Sequence, residues 1–251
     1  MSNLDHPAPP PWEEQVKVQI RRRYDRMANE NTFRPGGAER AALAGYPKEK
    51  LRKLPPNIAD TYSGCGYGLA GIDFAADISI ALDLGCGAGL DTLLLAQELS
   101  QDSRVIGIDL APKMLERVNA TALDNMSAVI STLAGDLEKL PVGDNKADLI
   151  IANASINLTT NKQLAFSEIF RVLKPGGQFF ARDLVRTVKL DTELAQDPGA
   201  WNTSLGGVIE EGEWIKLAMD AGLTNTNVSE HTPFGPVVAV RVEAKKAKDA
   251  Q

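Results

Sequence analysis

Hydrophobic positions along this chain follow two rhythms. Between Trp12 and Asn29 apolar side chains recur at Val16, Ile20, Tyr24 and Met27, at i, i+4, i+8 and i+11, with charges between them. That spacing predicts one amphipathic helix with a single apolar stripe. From Ile78 onward the pattern becomes short, nearly continuous apolar runs separated by helix-length periodic segments. Ile78–Leu84, Arg104–Asp109, Ala128–Ala134, Ala147–Asn153 and Gln178–Asp183 read as buried strands. Leu90–Leu99, Pro112–Leu123 and Lys162–Val172 read as the helices between them, with Pro112 in a first turn where its missing N–H costs nothing. Such alternation predicts an α/β domain with a parallel sheet and right-handed crossovers. Arg186 to Gly207 reads as an irregular insertion, Glu210–Ala221 as a helix stopped by Gly222, and Thr224–His231 with Pro236–Val242 as a closing strand pair.

The turn after the first of these strands organises the rest. Asp83 lies in the run ISIALDL, glycines follow at Gly85, Gly87 and Gly89 around Cys86, and a helix begins at once. Glycines there let backbone approach a ligand closely, and the helix's first N–H groups can meet polar or anionic ligand atoms. The spacing is G-x-G-x-G, distinct from the G-x-G-x-x-G dinucleotide fingerprint. Asp109 ends the second strand, placed to accept hydrogen bonds from two ribose hydroxyls. Asp136 stands just past the third strand, where a carboxylate can take a hydrogen bond from an adenine amino group. Leu110 and Leu137 offer apolar faces to the ring.

Bulk properties narrow the partners. A chain of 251 residues holds one well-filled α/β domain with an appendage. The net charge is −6 and Arg21-Arg22-Arg23 is an isolated basic cluster, so no nucleic-acid partner is expected. No apolar stretch approaches the ~18 residues of a spanning helix, and the start MSNLDHPAPPPW lacks a signal core. No membrane partner is therefore expected, and the location is expected to be cytoplasmic. Cys65 and Cys86 are too few for a disulfide framework, and with two histidines no metal site is expected. The pattern fixes no oligomeric state.

Taken in order, ISIALDLGCGAGLD, RVIGIDL, AGDLEKLP, ADLIIANASINL and RVLKPGGQFFARD make the stretch from Ile78 to Asp183 resemble class I S-adenosylmethionine-dependent methyltransferases. The resemblance implies a Rossmann-like, doubly wound, mostly parallel seven-stranded sheet. It implies S-adenosylmethionine as cofactor, held by Asp83, Gly85, Cys86, Gly87, Gly89, Asp109, Leu110, Met114, Asp136, Leu137 and Asn153. The amphipathic helix and the glycine-dense loop before the first strand suggest an N-terminal helical lid. The expected division is arm and lid at 1–56, cofactor domain at 57–245, and a solvated tail at 246–251.

GYPKEKLRKLPPNIADTYSGCG, ANASINL and WNTSLGG look like the arsenite methyltransferase branch. In that branch three cysteine thiolates trap trivalent arsenic. The first matches Cys65, while the second falls on Ala154 and the third on Ser204. Trivalent arsenic is soft and requires converging sulfur ligands, which this set does not supply. The expected function is methyl transfer to a small-molecule acceptor other than arsenite. Cys65, Asn157, Asp183 and Ser204 are the candidate catalytic residues, with Tyr67, Asn153 and Trp201 also on the acceptor side. Two other reactions in the same pocket, folate-linked methyl transfer and dehalogenation, stay open as alternatives, and the scarcity of acid–base residues keeps open a third, cofactor binding by a non-catalytic regulator.

Overall fold

The apolar runs pair into one sheet. Its strands are β1 (Ile80–Leu84), β2 (Arg104–Asp109), β3 (Val129–Ala134), β4 (Ala147–Asn153), β5 (Leu173–Arg186), β6 (Ile209–Glu210), β7 (Leu223–Phe234) and β8 (Val237–Lys246). The computed structural model describes residues 11–29, 36–74, 77–121, 126–187, 198–201 and 205–249. Seven strands run in the order β3-β2-β1-β4-β5-β8-β7, and the two-residue β6 pairs with β5. β1 to β5 run parallel to one another, and β8 runs antiparallel to β5 and β7. Strand order reverses beside β1, so the chain ends of β1, β2 and β4 open a crevice where ligands bind in such sheets.

Each face of the sheet carries its own core. On one face lies helix α5 (Leu90–Glu98), whose Leu93, Leu94, Leu95 and Ala96 are fully buried beside Ala81, Val105 and Leu149. On the other, α7 (Lys162–Val172) and α9 (Glu211–Asp220) pack Phe166 and Trp214 edge-to-face at 4.8 Å over the sheet. Each such side chain contributes roughly 1.5–3 kcal/mol by leaving water. Helix α6 (Pro112–Asn119) follows β2, and the short α8 (Pro198–Trp201) lies in the insertion after β5.

The N-terminal helices divide differently from the expected boundary at residue 56. After α1 (Trp12–Asn29) come α2 (Gly37–Leu43), α3 (Lys48–Leu51) and α4 (Pro56–Ala59). Ala41, Tyr46, Leu51, Leu54 and Ile58 share one core with α5, so this stretch belongs to the domain. The stripe of α1 packs elsewhere, Val16 and Ile20 against Trp201, Tyr24 near Leu110 and Leu158, and Met27 near Met114 and Ala88. The arm before Pro11 lies outside the described residues.

Three strands, β5, β7 and β8, run beyond their expected ends. β5 starts at Leu173 because Leu173 pairs with Ala147 and a register shift between Ala147 and Leu149 absorbs the Pro-Gly-Gly segment. β8 continues through Lys246, which is buried and donates to Asn145 Oδ1 at 2.8 Å and the Phe170 carbonyl at 2.9 Å. The expected tail therefore starts too early.

Candidate functional site

At the end of β1 the backbone turns through Gly85 (φ 72°), Gly87 (φ 53°) and Gly89 (φ 89°), left-handed values that favour glycine. A Cβ on Gly85 would lie 2.3 Å from the Ser155 Cβ, whereas one on Gly87 would meet nothing within 4 Å. Gly87 is therefore bare backbone facing a cleft. Its N–H donates to Asp109 Oδ2 at 2.8 Å, and the Ala111 N–H donates to Oδ1 at 2.8 Å. Burial raises the Asp109 pKa, and these backbone bonds work against the rise. The cleft is lined by Gly85, Gly87, Asp109, Leu110, Asp136, Leu137, Asn153, Ala154, Ser155, Leu158 and Thr159.

Helix α1 supplies the opposite wall through Lys17, Ile20 and Tyr24. Lys17 Nζ sits 2.7 Å from Asp136 Oδ2 and 2.5 Å from Glu138 Oε2. Burial alone would lower the Lys17 pKa, but its bonds to the two carboxylates outweigh that and hold it raised. Glu138 Oε1 in turn accepts from Thr160 N–H, Thr160 Oγ1 and Asn161 N–H at 2.7–2.9 Å. One carboxylate thus joins α1 to the entry of α7.

An adjoining recess carries two buried acids. It is lined by Tyr46, Tyr62, Ser63, Gly64, Asp83, Gly85, Cys86, Gly87, Asp91 and Asn153, among others. Thr92 Oγ1 donates to Asp83 at 2.6 Å, and Tyr46 Oη donates to Asp91 at 2.9 Å. Burial raises the pKa of both acids, and the negative charge of Asp91 pushes Asp83 further. No Lys or Arg lines this recess among the described residues, so the two acids have no resident cation, and an ammonium group placed between them would favour their ionised forms. Sequence reasoning missed Tyr46, Asp91, Lys17 and Glu138. Asp91 had a signal, being an acid at the head of the apolar helix LDTLLLA.

The acceptor candidates separate in space. Cys65 is buried in an apolar cluster with Leu184, Val208, Val237 and Ala239, against which Ala154 and Leu205 pack. Burial raises its pKa well above the ordinary thiol value, as does Asp183, leaving a neutral thiol. Ala154 holds a left-handed backbone (φ 53°) at the end of β4. Asp183 is fully buried and accepts from the N–H groups of Ile156, Asn157 and Leu184 at 2.9, 3.2 and 2.7 Å. Burial raises its pKa to about 6. Its three backbone donors make Asp183 an anchor for the turn after β4, the structural place that competes with its expected catalytic one. Asn157 is likewise fully buried and lines neither recess, so it too sits behind the site. Ser204 lies outside the described residues.

Of the remaining expected cofactor residues, Met114 and Gly89 support the cleft without lining it. Met114 is buried under Ala88 and Ala111, and Gly89 caps α5 against Val118. Cys86 lines the acidic recess with its thiol pKa raised by burial. Tyr67 packs on Tyr46 with ring centroids 5.0 Å apart, and Trp201 supports α1 through an edge contact with Trp12 at 5.4 Å.

A family model described as "Methyltransferase domain" matches residues 77–222, more than half of the chain. The chain belongs to the methyltransferase-domain family. An arsenite methyltransferase of Halobacterium salinarum is 30% identical over 201 residues, covering 79% of this chain and 50% of that protein. The Homo sapiens arsenite methyltransferase is 29% identical over 185 residues, covering 70% and 48%. The chain thus spans about half the length of these curated relatives. A crystal structure of an arsenic(III) S-adenosylmethionine methyltransferase from Chlamydomonas reinhardtii superposes with a TM-score of 0.64 at 27% identity, covering 84% of this chain and 73% of that one.

S-adenosylmethionine is the cofactor of this methyltransferase fold, and the residues present fit it. Gly87 leaves backbone open to the cleft, Asp109 is fixed by two backbone donors, and the recess of Asp83 and Asp91, with no Lys or Arg among its lining residues, suits an ammonium group. Among the described residues no helix is long and apolar enough to cross a membrane.

Proposed function

We propose that the chain transfers a methyl group from S-adenosylmethionine to a small-molecule acceptor other than arsenite. S-adenosylmethionine, when bound, supplies an electrophilic methyl group on a sulfonium. Asp109 would hold the ribose hydroxyls, Asp136 with Leu110 and Leu137 the adenine, and Asp83 with Asp91 the ammonium end. Helix α1 acts as the lid: Ile20 and Tyr24 cover the cleft and exclude water, and Lys17 ties the helix to Asp136 and Glu138. Alignment and dryness are the protein's main levers for in-line displacement at carbon.

The observation that supports a different acceptor is the surroundings of Cys65. Cys65 shares an apolar cluster with Leu184, Val208 and Val237, and Ala154, packed against that cluster, stands where the arsenite branch has a second cysteine. An apolar wall with one neutral thiol does not offer the converging thiolates that soft, trivalent arsenic requires. Incubation with arsenite, glutathione and S-adenosylmethionine should give no methylated arsenic by chromatography with elemental detection. Turnover comparable to that of a three-cysteine relative would overturn the acceptor reading.

A further inference from the structure

One side chain joins the acidic recess to the loop that carries Cys65. Asn153 Oδ1 accepts the Cys65 N–H at 3.0 Å, and the Cys65 Sγ lies 3.8 Å from the same oxygen. Asn153 Nδ2 stands 2.8 Å from Asp91 Oδ2, 2.9 Å from the Gly66 carbonyl and 3.0 Å from Tyr46 Oη. An amide has two N–H groups for those three acceptors, so one is shared and their strengths are interdependent. The loop is pressed tightly onto this centre. A Cβ on Gly64 would lie 2.7 Å from Asn153 Oδ1, and one on Gly68 would lie 2.6 Å from Asp91 Oδ2.

We propose that Asn153 is a positioning residue that couples occupancy of the Asp83–Asp91 recess to the 64–68 loop and hence to the acceptor wall around Cys65. The proposal rests on the reading that the cleft takes S-adenosylmethionine. An ammonium group bound at the recess takes its own hydrogen bond from Asp91 and holds that carboxylate in one position. A fixed carboxylate fixes the Asn153 amide bonded to it at 2.8 Å, through a charge-assisted hydrogen bond. The amide is then fixed, and through Oδ1 and Nδ2 it fixes the backbone at Cys65 and Gly66. Filling the cofactor site therefore sets the wall that the acceptor meets.

The test uses S-adenosylhomocysteine, which keeps the ammonium end but transfers no methyl group. Calorimetry establishes the concentration that saturates each protein. Iodoacetamide then labels the full chain with and without ligand, and peptide mass spectrometry follows Cys65 separately from Cys86. In the wild type, saturation should slow Cys65 labelling by about tenfold, the effect of one charge-assisted hydrogen bond. In Asn153→Ala the slowing should disappear although the ligand is bound. Asn153→Ser, a milder change read the same way, serves if the alanine variant fails to fold. A purely structural asparagine would change labelling equally with and without ligand, so the ratio isolates the coupling. Equal slowing in wild type and a ligand-saturated variant would overturn the proposal, as would no slowing in a saturated wild type. Absence of any binding to the wild type would instead overturn the cofactor reading beneath it.

Discussion

Replacing Lys17 by Met keeps the length of the side chain and removes the charge that ties α1 to the cleft. The two ion pairs lie at 2.7 and 2.5 Å, with side chains 24% exposed for Lys17, 32% for Asp136 and 7% for Glu138. The pair with Asp136 is solvated enough to be worth only about 0.5 kcal/mol. The one with Glu138 is better shielded and contributes about 1–2 kcal/mol as a charge-assisted bond. Glu138 keeps its Thr160 and Asn161 donors in the variant, so the entry to α7 should hold. The docking of α1 should thus weaken by about 1.5–2.5 kcal/mol, which speeds opening by roughly 10- to 70-fold. Hydrogen exchange of the amides in residues 12–29 reads this directly. Raising the salt should speed exchange in the wild type and leave the variant nearly unchanged. Equal protection in the two proteins would show that Val16, Ile20 and Tyr24 hold the helix unaided, and the latch would be refuted.

Further outcomes follow from packing and charge. In Gly207→Ala the new Cβ would sit 1.8 Å from the Asn157 carbonyl oxygen and 2.7 Å from the Trp201 ring, so the variant should lose about 1–3 kcal/mol in thermal unfolding; an unchanged Tm would contradict the close approach. Asp83, Asp91, Asp109 and Asp183 all have raised pKa values, chiefly through burial, with Asp183 near 6. Each binds its proton more tightly folded than unfolded, so its contribution is complete below about pH 4 and is lost as pH rises through the folded value. Glu168, held low by Arg171, acts in the opposite sense and its contribution is lost in acid. The Tm of the ligand-free protein should therefore fall from mildly acidic pH toward pH 8, and saturating S-adenosylhomocysteine should flatten the fall; a Tm rising steadily across that range would contradict the buried-acid reading.

Much of the fold was legible because periodicity and burial agree. β2 and β4, α1 and α7 have the expected limits, since each is bounded by a turn residue or by an abrupt change of pattern. Strand ends were missed where tertiary pairing overrides local turn chemistry, as when Lys174-Pro-Gly-Gly is drawn into β5 by Ala147. Two-residue β6 has no periodicity to detect. Gly85, Gly87, Asp109 and Asp136, read from short motifs, come together in one cleft because each lies at or just past a strand's end. Lys17 and Tyr46 could not, because they reach the site from helices and turns distant in the chain. Asp183 was ambiguous because a strand-end acid suits catalysis and backbone anchoring equally; its three N–H donors show the anchoring contacts that the sequence cannot.

The central claim is that the cleft beyond β1 and β2 binds S-adenosylmethionine through Asp109. Titration calorimetry of the full chain with S-adenosylhomocysteine, wild type against Asp109→Ala, tests it most directly. Binding is predicted for the wild type, with a loss of about 1–3 kcal/mol in the variant, roughly 5- to 150-fold in Kd, from ribose hydroxyls left without their acceptor. Equal Kd values in two folded proteins, or no heat of binding to the wild type, would contradict it.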